Sequence, residues 1–208
     1  MSAREKPRAE VQRERILVAA QQCFIRHGFH AAGMAAISTA AGMSPGLIYR
    51  YFDSKNAIIL AIIQRQLDDK RSSIDSLPLQ TDWEVRIREL FAGWQRGDPT
   101  LMNPALFLEM SAQATRDPAI ADALAAADEA SRRHFLAWMR AHAQAQGALV
   151  PEDELRTRAL ALQSFIEGLA IRAVREPGMD AARVAAAVRR FVPALLRFEA
   201  GEPTDNVL

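Results

Sequence analysis

Cysteine is nearly missing: Cys23 stands alone among 208 residues, which leaves no internal disulfide and suits a reducing compartment. Aromatic residues make up only 7% of the chain. No apolar run approaches the ~18 residues of a membrane span, and Met1–Gln12 is charged where a secretory signal carries its apolar stretch. A cytoplasmic location with no membrane partner is expected. An excess of one charge sign is missing too, because the formal net charge is only +1. No G-x-G-x-x-G, P-loop or G-x-S-x-G motif occurs. His30, His134 and His142 show no ligand spacing with carboxylates or with each other. Cys23 and His27 stand four apart, a spacing open to a metal or a nucleophile pair, but Cys23 falls on the apolar face of its segment. The expectation is therefore no enzyme, no cofactor and no metal. Alternating strand patterns and Asn-Gly hairpins are also lacking, so the chain reads as all-α.

What the chain does have is apolar residues at helical spacing, half of its composition, enough for one or two compact units at typical domain sizes of roughly 100 to 200 residues. Its charge is unevenly spread. Residues 1–55 carry eight Lys/Arg against four Asp/Glu, whereas residues 56–208 carry eighteen against twenty-one. The positive end coincides with the most informative stretch, Gly42-Met43-Ser44-Pro45-Gly46-Leu47-Ile48-Tyr49-Arg50-Tyr51-Phe52-Asp53-Ser54-Lys55. Gly42 suits a tight turn between helices, Ser44 can cap the next helix, and Pro45 fits its first position, where a missing N–H costs nothing. Upstream, Met34, Ile37 and Ala41 recur at helical spacing. Helix 33–41, turn 42–44 and helix 45–51 make a helix-turn-helix, a motif that places its second helix in a DNA groove.

A preceding helix over about 11–27 carries Ile16, Ala20, Cys23 and Phe24 inward and ends at Gly28; with Ile37, Ala41, Ile48 and Phe52 it closes a small core. Ser54 caps a long helix begun by Lys55 and continued by Ile58, Ile59, Ile62 and Ile63, and the lysine is placed to reach a phosphate. Further helices are expected at about 82–97, 102–115, 117–146, 152–175 and 180–199, divided at Leu77-Pro78, Asp98-Pro99, Arg116-Asp117-Pro118, Gly147–Pro151 and Glu176-Pro177-Gly178. This makes about nine helices: a helix-turn-helix domain at 10–70 and a larger domain at 71–208. Arg4, Lys6 and Arg8 form a basic arm that suits a minor groove.

Arg50 is the only strong donor in the short helix and is assigned a guanine or phosphate contact. Val184, Val188, Phe191, Leu195 and Phe198 are spaced 4-3-4-3, the seam of a helix that packs along another. Leu155, Leu162, Ile166 and Leu169 make a comparable stripe, with Gly168 open to close backbone approach. Spacing alone leaves intramolecular core and dimer seam equally open. One helix-turn-helix reads only a half-site, so pairing favours a homodimer through Leu162, Ile166, Leu169, Val184, Val188, Phe191 and Leu195. Trp94, Phe107, Met110, Phe135, Trp138 and Phe165 supply apolar and aromatic surface for a small-molecule effector pocket. Glu109 and Gln113, one turn apart, are candidates to meet a cationic or hydroxylated group there. Glu167 poses the same question. A helical adaptor for another protein would explain the aromatic helices and the seam, but not the capped cationic helix.

The run from Gly28 to Lys55, G-F-x-x-A-G-M-x-x-I-x-x-A-A-G-M-S-P-G-L-I-Y-R-Y-F-D-S-K, resembles the TetR family of bacterial transcriptional regulators. The stretches Phe107–Met110, Arg116–Pro118 and Phe165–Leu169 resemble, more weakly, its BetI-type subgroup. The resemblance implies an all-helical homodimer on a double-stranded operator, usually a repressor, with a C-terminal domain that binds an effector and dimerises through its last two helices. It further implies that Ser44, Pro45, Gly46 and Leu47 meet base edges and that Tyr49 and Tyr51 touch phosphate or bases, with Arg50 and Lys55 supplying charge. Gly33 stands where the family usually has Thr or Ser, so a hydroxyl cap and phosphate contact is missing, which either weakens affinity or leaves backbone N–H groups of that helix terminus to meet the phosphate. Leu47 stands where small or polar residues are common, which suits a thymine methyl.

Overall fold

The computed structural model describes residues 8–198, and Arg4 and Lys6 of the basic arm lie outside them. Nine helices and no strand occur among the described residues: α1 Arg8–Ala31, α2 Met34–Ala41, α3 Pro45–Tyr49, α4 Lys55–Asp75, α5 Trp83–Arg96, α6 Pro104–Ala114, α7 Pro118–Ala145, α8 Glu152–Arg175 and α9 Ala181–Leu196. The all-α reading holds. None of these helices is long and apolar enough to cross a membrane.

Packing divides the chain into two compact units, and the division does not follow chain order. The first runs through Leu67 and takes in Ala105–Ala127; the second comprises Asp68–Pro104 and Asp128–Leu208. The sequence places a single boundary at residue 70. The difference lies in Leu106, Met110 and Ile120, all at most 2% exposed, whose side chains join the first core together with Ile16, Ala20, Cys23, Phe24, Ile37, Ala41, Ile48 and Phe52. Ile58, Ile59, Ile62 and Ile63 of α4 complete that core. A segment just past the middle of the chain thus belongs physically to the N-terminal unit.

The turn between α2 and α3 is built as its residues dictate. Gly42 adopts φ 60°, ψ 40°, a conformation costly for residues with a Cβ. A Cβ there would lie 2.8 Å from the Arg15 guanidinium. Met43 N–H donates to the Ser38 carbonyl at 3.0 Å, and the buried Ser38 hydroxyl donates to the Met43 carbonyl at 2.5 Å, so the helix end is closed in both directions.

In the second unit, Trp83, Ile87 and Phe91 of α5 pack with Phe135, Trp138 and Met139 of α7, Leu155, Leu162 and Leu169 of α8, and Val184, Val188, Val192 and Leu196 of α9. This corrects the expected dimer seam. Leu162 and Val188 are fully buried, Val184 and Leu169 are 3% and 8% exposed, and all four are spent within one chain. A 4-3-4-3 stripe has the same spacing whether its partner helix is in the same chain or another, and here α5 fills that place. Ile166 and Leu195 are half-buried, and only Phe191 of the seven stands clear, 58% exposed.

Candidate nucleic-acid interface

The second helix of the motif is short, and its orientation is set by one inward anchor. Ile48 is fully buried and Phe52 nearly so, which turns Ser44, Pro45, Gly46, Tyr49 and Arg50 outward; all five are exposed, while Leu47 and Tyr51 are half-buried. Ser44 caps the helix, accepting the Leu47 N–H at 3.3 Å, and Pro45 takes the first turn. Gly46 has nothing within 4 Å of the place a Cβ would occupy, so this face is open for close approach of another backbone. Gly33, itself exposed, starts α2 in extended conformation with no side-chain hydrogen bond capping its first turn.

The cations separate into two kinds. Arg13 donates to the Tyr51 carbonyl at 2.9 Å, and its guanidinium lies 4.3 Å over the Phe52 ring. Arg15 reaches the Gly42 carbonyl at 3.5 Å. Lys55, assigned from sequence to a phosphate, is half-buried and donates to the Phe29 carbonyl. These three brace the motif through its backbone. Arg50 alone among them makes no side-chain hydrogen bond, ion pair or ring contact with the described residues. The carbonyl partners of Arg13, Arg15 and Lys55 are neutral and leave those charges in place, and among the described residues of this unit the ion pair of Arg65 with Glu14 involves none of the four cations. The bracing role of Arg13 and Arg15 is not legible in a single sequence, because nothing in α1's periodicity says which carbonyl an exposed arginine will find.

The residues expected to form an effector pocket are divided between the two units. Phe107, Glu109, Met110 and Gln113 lie on α6 in the first; Met110 is 2% exposed in its core. Glu109 accepts the Phe29 backbone N–H at 2.9 Å, a bond inside the protein in place of the expected ligand contact. Trp94, Phe135, Trp138 and Phe165 belong to the second unit. There Trp138 packs edge-on to Trp83 at 5.1 Å and stacks on Phe135 and His142, so these rings serve as core. The Trp83 indole N–H is buried without an acceptor. An open groove of about 740 Å³ in this unit is lined by Leu149, Val150, Pro151, Glu154, Arg158, Pro193, Ala194, Arg197 and Phe198, none of the expected eight. Glu167 of α8 is half-buried, and burial pushes its carboxyl above the usual range, with Lys70, Asp128 and Arg132 nearby.

Cys23 is buried, and burial pushes its thiol up while His27 lies exposed; a reactive cysteine needs the opposite shift.

Comparison with known proteins agrees with this geometry. Residues 16–62 match the family model for bacterial regulatory proteins of the tetR family, and residues 86–197 match that for the C-terminal part of BetI-type transcriptional repressors. The HTH-type transcriptional regulator UidR of Escherichia coli is 33% identical over 153 residues, covering 69% of this chain and 72% of UidR. The HTH-type transcriptional activator FasR of Mycolicibacterium smegmatis is 40% identical over 83 residues, 39% of this chain and 37% of FasR. Among solved structures, Salmonella enterica GusR superposes with a TM-score of 0.74 at 26% identity, covering 94% of this chain and 99% of GusR. A transcriptional regulator from Saccharomonospora viridis, solved in complex with choline, shares the fold at a TM-score of 0.67 and 22% identity, covering 88% of this chain and 96% of its own. The chain belongs to the TetR family of bacterial regulatory proteins and is a transcriptional regulator of that type, with a DNA-binding helix-turn-helix.

Proposed function

We propose that this chain is a cytoplasmic homodimeric repressor that reads a pseudo-palindromic operator and is released by a small-molecule effector. The observation that carries the reading is the outward face of α3, where Ser44, Pro45, Gly46, Tyr49 and Arg50 are exposed around a buried Ile48. In this reading Ser44, Pro45, Gly46 and Leu47 approach base edges, Tyr49 and Tyr51 meet phosphate or bases, and Arg50 makes the charged contact. The uncapped start of α2 at Gly33 offers N–H groups to a phosphate. FasR's name records activation, and an activator with the same reading head is the alternative. Selection of bound duplexes from a random pool tests the reading. It should recover a pseudo-palindrome whose half-sites lie about 34–36 Å apart; a single unrepeated site, or no preferred sequence, would overturn it.

Dimerisation is assigned to the outer faces of α8 and α9 in place of the buried stripe. Leu160 is 55% and Phe191 58% exposed, and Ala161, Ser164 and Gly168 lie exposed on α8. Nothing lies within 4 Å of a Cβ built at Gly168, so a partner helix can come close.

Lys55→Ala should lower stability by about 1.5–3 kcal/mol through loss of a hydrogen bond from a charged donor. The loss of one positive charge should also reduce the salt dependence of log K by at most about one unit. Thermal unfolding and a salt titration read the two effects separately.

For the effector, the reading transfers the carboxylate role from Glu109 to Glu167, alongside the half-buried Trp94 and Phe165 of the second unit, Phe135 and Trp138 being core. A cationic small molecule fits this supply of rings and one half-buried acid, and the choline complex of the Saccharomonospora viridis regulator is a precedent of that chemistry. Because burial raises the Glu167 carboxyl, ionisation costs the folded state more than the unfolded one, and the contribution of Glu167 to stability should fall as pH rises through the interval between the two values. Glu167→Gln should therefore be more stable than wild type at neutral pH, with the gain vanishing in acid, as followed by denaturant unfolding across pH.

A further inference from the structure

We propose that Glu109 of α6 is a positioning residue for DNA recognition: its carboxylate holds the Phe29 peptide and thereby fixes the angle at which the reading motif leaves α1. The inference rests on the DNA-reading function proposed above and adds the residue that aims the motif.

Gly28 interrupts α1 with φ 72°, ψ 165°, a backbone region occupied essentially by glycine alone. That break takes the Phe29 N–H to the Glu109 Oε2, 2.9 Å away. The carbonyl of the same residue accepts the Lys55 ammonium from the start of α4. One residue is thus gripped at its amide by an anion and at its carbonyl by a cation, while its ring, 3% exposed, packs edge-on against Phe24 at 4.5 Å. Three residues later Ala32 N–H returns to the Gly28 carbonyl at 3.2 Å, and Gly33 opens α2. The direction of α2, and through Gly42 that of α3, is set from this point.

Glu109 is carried there by its neighbours on α6. Leu106 and Met110, 1% and 2% exposed, are fixed in the first core on either side of it. The fit at Gly28 is close: a Cβ on that residue would lie 3.4 Å from the Glu109 Oε2 and 3.5 Å from Oε1. The carboxylate therefore meets a backbone shaped to receive it.

Charge separates this role from a general one. Removing an anion from a DNA-binding unit should by electrostatics alone strengthen binding to any duplex. A lost positioning bond acts the other way, and only where base edges must align. The test compares wild type, Glu109→Ala and Glu109→Gln for affinity to the duplex recovered by selection and to an unrelated duplex, at a temperature where all are folded. The chemical shift of the Phe29 amide proton is recorded alongside. Glu109→Ala should lose tenfold or more on the selected duplex and stay within twofold on the unrelated one. Glu109→Gln, which keeps a carbonyl acceptor, should recover most of the loss. An unchanged or equal effect on both duplexes overturns the proposal, because lower stability scales both affinities together. Should Glu109→Ala fail to fold, Glu109→Met, which keeps the side-chain length but carries no oxygen acceptor for the Phe29 N–H, takes its place, and an unchanged affinity ratio in that protein overturns the proposal equally. A wild-type protein that prefers no duplex would sink the DNA-reading function itself, an outcome distinct from either.

Discussion

Phe191→Asp is expected to convert the dimer into monomers that bind the operator poorly while the fold survives. Phe191 is 58% exposed and its ring stacks on Phe165 at 5.5 Å, so the stacking lost within one chain is worth about 0.5–1.5 kcal/mol beyond the modest area the ring buries. At the proposed contact between copies it is a buried aromatic anchor. Truncating such an anchor costs about 2–4 kcal/mol, roughly 30- to 700-fold in dimer dissociation, and a carboxylate placed against a partner's Phe191 adds a desolvation cost. Each monomer then reads one half-site. Val188→Asp is the contrast: Val188 is fully buried among α5, α8 and α9, and a carboxylate there should cost more than about 4 kcal/mol of folding stability. Sedimentation separates the two cases. A Phe191→Asp protein that remains a dimer would place the contact on another face.

Arg50→Ala is expected to relax specificity at one base pair of the operator by about 1–3 kcal/mol and to leave stability unchanged. The basis is its isolation. Arg13, Arg15 and Lys55 each hold a backbone carbonyl, whereas the exposed Arg50 side chain makes no hydrogen bond or ion pair with the described residues. Duplexes altered at single positions report the difference. Equal weakening on every altered duplex would move Arg50 from a base to a phosphate, and no weakening on any would remove it from the interface.

Much of this molecule is legible in its residues. Gly42, Ser44 and Pro45 mark a turn and a helix start through backbone chemistry alone, and the structure places them there. Ile16, Ala20, Phe24, Ile37, Ile48 and Phe52 form the core their spacing implies. Periodicity names the buried face of a helix but not the surface it is buried against. For that reason Val184 and Val188 read equally well as dimer seam or intramolecular core, and the answer came from the position of α5. The same gap explains α6: chain order assigns Leu106 and Met110 to the C-terminal half, while packing assigns them to the first core. In the sequence Glu109 is a candidate to meet a cationic or hydroxylated ligand. Its partner proved to be a main-chain N–H 80 residues away, which no side-chain pattern announces. Lys55 stood out as a cation, and its carbonyl partner was hidden in the same way.

The account depends on the exposed side chains of residues 44–50 sensing base identity. The most direct measurement is the affinity of the full chain for its selected duplex relative to a duplex of the same length and composition with the order scrambled, at one fixed near-physiological salt concentration. Specific binding of this kind is typically 10³-fold or more tighter than non-specific binding, and a ratio of about that size is predicted, falling steeply when Ser44, Gly46, Tyr49 and Arg50 are replaced together by residues that preserve the helix. Equal affinity for the two duplexes, or a ratio indifferent to those replacements, would contradict it.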